Sequence, residues 1–280
     1  MYDQATGEIE ATEIITHGGN GVNGDLDPSP FPPCEMTSVV SVVSVTPMDV
    51  LVIDVGGSNV KLYTSSCSDV RRFKSGPAFT PSMLVDQVMT ETRHWVYDVI
   101  SLGFPGIVSG GKPAVEPGNL GDGWVGFDFE RAFGQPVRLV NDAVMQALGA
   151  YDGGRMVFLG LGTGIGSTLV TEHVVVPLEL GSLPLRDGST MAQLLSREGL
   201  KVNGISRWLQ DVHEASSVLR NAFAADYVVL GGGNAKRVDP LPQAVRRGGN
   251  IDACTGGVRL WEEIVEPHDR EPHHAWRVVR

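Results

Sequence analysis

The stretch Val50-Leu-Val-Ile-Asp-Val-Gly-Gly-Ser-Asn-Val-Lys61 decides the architecture. Its first six residues are an apolar run rich in β-branched side chains, the pattern of a buried strand. The run stops at Gly56-Gly57, and Val60 to Tyr63 returns as a second strand. Two readings of the turn stand side by side. Gly-Gly is a good hairpin dipeptide. Two glycines after a strand-end acid also let backbone N–H groups converge on a phosphate, with Asp54 placed to hold magnesium through water.

The same theme recurs along the chain. Pro81 to Asp98 reads as an amphipathic helix with Leu84, Val88 and Trp95 on one side. Val99 to Phe104 is a strand, Val137 to Val140 another, and Asp142 to Ala150 a helix. Met156 to Leu161 is an apolar strand that runs into Gly162-Thr-Gly164. Ile205 to Phe223 is a long helix, and Tyr227 to Leu230 is a strand opening into Gly231-Gly-Gly233. Strands alternating with helices predict an α/β architecture.

Composition sets the boundaries. Glycine accounts for 35 of 280 residues and clusters in short runs, which excludes a collagen repeat. The net charge is −11, and residues 1–48 carry seven acids with no Lys or Arg. A nucleic-acid binder needs a basic face, so that partner class is not expected, and neither is an anionic membrane surface. The Val-rich stretch before Val55 is broken by Pro47 and Asp49, too short and polar for a span. Three scattered cysteines, Cys34, Cys67 and Cys254, fit a reduced cytoplasmic protein without disulfides or structural zinc. Residues 1–48 read as a flexible acidic extension, 49–138 and 139–266 as two α/β lobes, and 267–280 as a loose tail carrying His268, His273 and His274.

The second glycine turn, Gly160-Leu-Gly-Thr-Gly-Ile-Gly166, lacks the Gly-Lys-Ser/Thr of a P-loop. It is no dinucleotide fingerprint either, because Ser167 stands where that motif needs glycine. Four glycines in seven residues after a buried strand favour close ligand approach, with Thr163 offering a hydroxyl. Gly231 to Gly233 would suit a flat adenine ring or a plain strand-to-helix connection. Asp142 begins a helix, where Asp is a favoured N-cap. A carboxylate at a strand end facing a cleft is also a candidate general base. His173 falls in a hairpin and His213 on a helix, neither placed as a catalyst.

In order and spacing, these motifs resemble the ROK family of sugar kinases, most closely its polyphosphate/ATP glucokinase branch. The matching stretches are Ile53-Asp-Val-Gly-Gly-Ser-Asn-Val-Lys61, Gly103-Phe-Pro-Gly-Ile-Val108, Gly118-Asn-Leu-Gly-Asp-Gly-Trp124, Val140-Asn-Asp-Ala143, Phe158-Leu-Gly-Leu-Gly-Thr-Gly-Ile-Gly166, Pro177-Leu-Glu-Leu-Gly181 and Asp226-Tyr-Val-Val-Leu-Gly-Gly-Gly-Asn234. The resemblance implies a two-lobed actin-like ATPase (ribonuclease H-like) fold with a central cleft, the last helix packing back on the first lobe. It implies transfer of a terminal phosphoryl group from ATP or polyphosphate to a hexose, glucose by default, with Mg2+ as cofactor. By this likeness Asp54, Gly56, Gly57, Ser58, Asn59 and Lys61 form the first phosphate turn. Gly162, Thr163 and Gly164 form the second, and Gly231, Gly232 and Gly233 receive the adenosine. Asn119, Asn141, Asp142, Glu179 and Ser182 hold the sugar, with Asp142 the base. Dimers are common in the family, so a homodimer is the assembly implied.

Two positions depart from the family pattern. A histidine usually follows Glu-Leu-Gly, and here Ser182 stands there. An acid is usual at the second position after Thr190, and here it is Ala192. Both fall on the sugar side. They leave open another acceptor sugar, or a sugar-binding sensor with little turnover. A polyphosphate donor would need a basic track, for which Arg186, Lys201, Arg207, Lys236 and Arg237 are candidates. A DNA-binding repressor of the family type is not expected, because residues 1–48 carry no basic side chain.

Overall fold

A computed structural model describes residues 48–249, 251–264 and 273–279. The expected N-terminal extension lies outside the described residues except for Met48, as does His268. The first lobe opens with β1 (Val50–Val55), β2 (Asn59–Tyr63) and β3 (Val70–Lys74), then passes through α1 (Pro81–Thr92) into β4 (Val99–Phe104). A small hairpin of β5 (Val108–Ser109) and β6 (Lys112–Pro113) follows, then α2 (Phe129–Phe133) and β7 (Val137–Asn141). The second lobe runs through α3 (Asp142–Ala150), β8 (Arg155–Leu161), β9 (Ile165–Thr171) and β10 (Val174–Leu178). The hairpin β11 (Pro184–Arg186) and β12 (Ser189–Thr190), α4 (Met191–Leu195) and α5 (Arg197–Ala222) come next. β13 (Tyr227–Gly231), β14 (Val245–Arg247), α6 (Asp252–Arg259), β15 (Glu263–Ile264), β16 (His273–His274) and β17 (Arg277–Val278) complete it.

Two mixed sheets result, ordered β3-β2-β1-β4-β7 and β14-β13-β8-β9-β10-β17. The central strands are covered on both faces, which is why β1 and β4 are buried throughout and mostly apolar, whereas the edge strand β3 alternates. Leu51 and Ile53 face α1 and α2, in one core with Leu84, Val88 and Phe129. Val50 and Val52 face the other way, in a shared core with Val144, Met145 and Leu148 of α3 and Met156, Phe158 and Val170 of the second sheet. On the far side of that sheet Val157 and Leu159 pack with Trp208, Val212 and Leu219 of α5. The layers therefore run helices, sheet, α3 and α6, sheet, helices, the two-lobed actin-like ATPase arrangement.

α6 lies in the central layer against both α3 and β1. Ser101 donates to Gly257 O at 2.5 Å, and Trp261 Nε1 donates to Ser101 Oγ at 2.9 Å. Arg259 of α6 donates to the carbonyls of Leu148 and Tyr151 at 2.8 and 2.9 Å, satisfying the open end of α3.

Three sequence expectations need correction. α1 ends at Thr92 rather than Asp98, because Trp95 N turns back to Thr92 O and the chain must re-enter the sheet beside β1. The cysteines are not all reduced: Cys67 and Cys254 form a disulfide between the turn after β2 and α6. Residues 273–279 are not a loose tail. β16 pairs with β15, β17 pairs with β10, and Trp276 packs against Tyr151 and His173.

The disulfide joins positions 187 residues apart, so it removes much freedom from the unfolded chain. It is expected to contribute about 3 kcal/mol. Cys254→Ser should lower the melting temperature by roughly 6–12 °C in calorimetry, and an unchanged value in oxidised protein would contradict the pairing.

Candidate functional site

β1, β4 and β7 are parallel, so Val55, Phe104 and Asn141 end at one edge of the first sheet. β8 and β13 are parallel in the second sheet, with Gly160 opposite Gly231. Ligands in open α/β sheets gather beyond such carboxyl ends. All three glycine turns and the start of α3 lie there.

The first turn is a hairpin, as β1 and β2 are antiparallel with Asp54 opposite Lys61. That register makes their ion pair, Lys61 Nζ to Asp54 Oδ2 at 2.9 Å. Burial by itself would lower the Lys61 pKa, but the charge and hydrogen bond of Asp54 outweigh it and hold the ammonium above its usual range. Gly56 N donates to Asn59 O at 3.0 Å. Ser75, just past β3, clamps the turn from outside: its hydroxyl donates to Gly56 O at 2.6 Å and its N–H to Ser58 O at 3.2 Å. A Cβ on Gly57 would stand 2.6 Å from Asn119 Nδ2, so this turn and the Gly118–Trp124 loop meet there. Glu116 pins that loop, accepting the N–H groups of Trp124 and Val125 at 3.0 and 3.1 Å. Those bonds, Trp124 first, pull its carboxyl below the usual range.

The second turn closes the β8–β9 hairpin, with Gly162 N donating to Gly164 O at 3.2 Å. Arg197 N at the start of α5 donates to Gly162 O at 2.8 Å. The third turn packs beside it, where Asn234 N donates to Leu161 O at 3.0 Å. Lys236 and Arg237 follow directly in a short 3-10 turn. Gly166 brings the second turn to α3: a Cβ there would be 2.6 Å from Ala143 Cβ.

The two readings of Asp142 separate in the structure. Asn141 is the N-cap, its Oδ1 accepting from Ala143 N at 2.9 Å, while its Nδ2 donates to Gly106 O at 2.9 Å. Asp142 is the first helical residue, and its Oδ1 also accepts from Ala143 N, at 2.8 Å. Desolvation at the start of α3, and then the nearby Asp54 charge, raise the carboxyl of the half-buried Asp142 to about 7. The N–H groups of Ala143 and Asp142 and the charge of Lys61 oppose this but do not cancel it. A carboxylate with a pKa near neutrality is suited to accepting a proton. The charges of Asp54 and Lys61 thus act on Asp142 in opposite directions.

Glu179 opens a 3-10 turn after β10. Ser182 Oγ donates back to Glu179 O at 2.8 Å, so its hydroxyl hydrogen is already committed. Gly181 packs on Ile165, directly after the second turn, and against Ala192. Partial desolvation raises the carboxyl of the surface-exposed Glu179 above its usual range. Of the basic candidates, Arg186 and Arg207 converge on the buried Asp211 at 3.0 and 3.3 Å, and Lys201 pairs with Glu198 at 3.6 Å. Ser75, Glu116 and Ser167, whose hydroxyl bonds Leu178 O and Leu180 N, are supporting residues that motif reading missed. A single serine in a strand or after one carries no pattern, so no local signal marks the serines.

No protein-family model matches the chain. A polyphosphate glucokinase from Mycobacterium tuberculosis is 26% identical over 211 residues, covering 67% of this chain and 78% of that protein. The inorganic polyphosphate/ATP-glucomannokinase from Arthrobacter sp. strain KM has a similar structure, with a TM-score of 0.65 at 23% identity, over 75% of this chain and 97% of that one. The ROK family glucokinase from Streptomyces griseus, solved with glucose and AMPPNP, gives 0.60 at 14% identity, over 76% and 98% of the two chains. The resemblance read from the motifs is thus to sugar kinases in both sequence and fold.

Proposed function

We propose that this chain is a hexose kinase that transfers the terminal phosphoryl group of ATP or polyphosphate to the 6-hydroxyl of a hexose, glucose by default. The observation that carries the reading is the Asp142 carboxyl, raised to about 7 at the start of α3, where Gly166 packs the second turn on Ala143 and the Asp54 charge is felt. The names of the relatives point the same way.

In this mechanism Gly56 to Asn59 and Gly162 to Gly164 offer backbone N–H groups and the hydroxyls of Ser58 and Thr163 to the donor's terminal phosphates. Lys61 adds positive charge, and Gly231 to Gly233 take the nucleoside. Asn119, Asn141 and Glu179 orient the sugar, with Ser182 at the rim. Asp142 accepts the proton of the attacking hydroxyl as the oxygen approaches phosphorus in line. Asp54 suits magnesium: Lys61 engages its Oδ2, and the other oxygen can accept a metal-bound water. Magnesium bound there supplies charge against the donor phosphates.

The pH dependence follows from the sign of the Asp142 shift. The base works only when ionised, so kcat/KM should fall about tenfold per unit as pH drops below about 7. A flat profile from about pH 5 to 8 in a steady-state assay would contradict the base assignment.

A second reading keeps the site and changes the acceptor. Ser182 has shorter reach than imidazole and already donates to Glu179 O, and Ala192 brings no polar group beside Gly181. Rates measured over a panel of hexoses, with ATP and polyphosphate as donors, test both readings. Glucose as the best acceptor supports the default. Preference for another hexose supports the second, and Ser182→His should then improve kcat/KM for glucose. Sugar binding with no turnover on any donor would make the chain a sensor instead.

A further inference from the structure

We infer that Ser167 is a positioning residue for sugar recognition, holding the backbone on both sides of Glu179; this rests on Glu179 being a sugar-binding residue. Ser167 stands where a dinucleotide-binding motif would need glycine, and the phosphate chemistry gives it no task. It lies on β9, three residues past Gly164, and its residue is only 2% exposed. In the β9–β10 ladder it is opposite Leu178, the last residue of β10.

Its hydroxyl works in both directions. Oγ donates to Leu178 O at 2.8 Å and accepts from Leu180 N at 3.0 Å. Those two groups flank Glu179, and they fall where regular strand pairing stops. Ser182 fixes the remaining carbonyl, that of Glu179 itself. The backbone carrying the Glu179 carboxylate is therefore tied to the same strand that carries the second phosphate turn. One buried hydroxyl links the acceptor side of the cleft to the donor side. Alanine here would leave a carbonyl and an N–H without this partner and free the turn to shift. A displacement of an ångström at a binding group is enough to weaken recognition severely.

Steady-state kinetics on the full chain test the inference. Ser167→Ala should raise the KM for the acceptor hexose about 10-fold while kcat and the donor KM stay within about twofold. Ser167→Thr keeps the hydroxyl on a β-branched residue suited to a strand and should restore the hexose KM. Glu179→Ala should raise the hexose KM by itself, and adding Ser167→Ala to it should raise it no further. If Ser167→Ala proves too unstable to assay, Ser167→Cys replaces it, since a thiol is a weak donor of similar shape. Equal losses in donor KM or kcat, or an unchanged hexose KM beside a sensitive Glu179→Ala, would overturn the role of Ser167 and leave the sugar site standing. An unchanged hexose KM in Glu179→Ala would overturn the sugar role of Glu179, and this inference with it.

Discussion

Asp142→Asn is expected to lose about 10²- to 10⁴-fold in kcat for hexose phosphorylation while the fold is retained. The amide has the shape of the carboxyl but accepts no proton. Its oxygen can still take the Ala143 N–H, and the cap of α3 rests on Asn141, which is untouched. Stability should even favour the variant at high pH. The Asp142 carboxyl is raised from its ordinary 3.8 to about 7 in the folded chain. Between those values the unfolded state is ionised and the folded state resists ionisation, so the carboxylate costs stability that grows as pH rises to about 7 and is then constant. Removing the charge relieves that cost. Asp142→Asn should therefore melt at or above the parent temperature at pH 8, and near it at acid pH. A variant with near-parental turnover, or one that loses activity only because it unfolds, would contradict the assignment.

The second large effect is structural. α3 and α6 cross with glycine against glycine at the centre of the molecule. A Cβ on Gly256 would lie 1.7 Å from Met145 O and 2.8 Å from Gly149 N, and one on Gly149 would lie 1.9 Å from Asp252 O. These neighbours are backbone, so no rotamer change relieves the clash. The helices must separate, and both are held between sheets with little room to move. Gly256→Ala should cost about 4–5 kcal/mol. That corresponds to a fall of roughly 10–20 °C in melting temperature by calorimetry or circular dichroism. Met145 lies one turn along α3 from Asp142, so any protein that still folds should lose turnover as well. A parental melting temperature would show that the helices do not cross as closely as described.

Much of the fold was legible because local and tertiary demands agree. β1, β4 and β8 are mostly apolar because both of their faces are covered, and short apolar runs such as Val50 to Ile53 and Met156 to Leu159 are visible in one sequence. The second part of α5 was legible from Ile205 on, but its start at Arg197 was not: Gly204, with φ of 74°, interrupts the helix, a conformation that glycine adopts without strain. The features that escaped depend on partners distant in the chain. Cys67 and Cys254 look like unrelated buried thiols until α6 is laid beside the turn after β2. The C-terminal strands have no apolar run, and their place comes from pairing with β10 and β15.

The site divides in the same way. Asp54, Asp142 and the three glycine turns each have an ordinary reading alone, as hairpin, connection or N-cap, and stand out as candidates only through their order and spacing together. Asn141 was legible only as a sugar ligand, yet its amide spans Gly106 O and the first turn of α3. The helix needs a cap, and Asn141 takes that task, which leaves Asp142 to the cleft. Ser75 and Ser167 are legible only after folding, because a hydroxyl that grips backbone has no sequence signature.

The proposed reaction moves a phosphoryl group onto a sugar hydroxyl. Phosphorus NMR of the product mixture from the protein, magnesium, ATP and glucose tests it most directly. A sugar-phosphate resonance at the 6-position should grow in step with ADP and be lost in Asp142→Asn. ATP broken down to inorganic phosphate without any sugar phosphate, across every hexose and with polyphosphate as donor too, would contradict it.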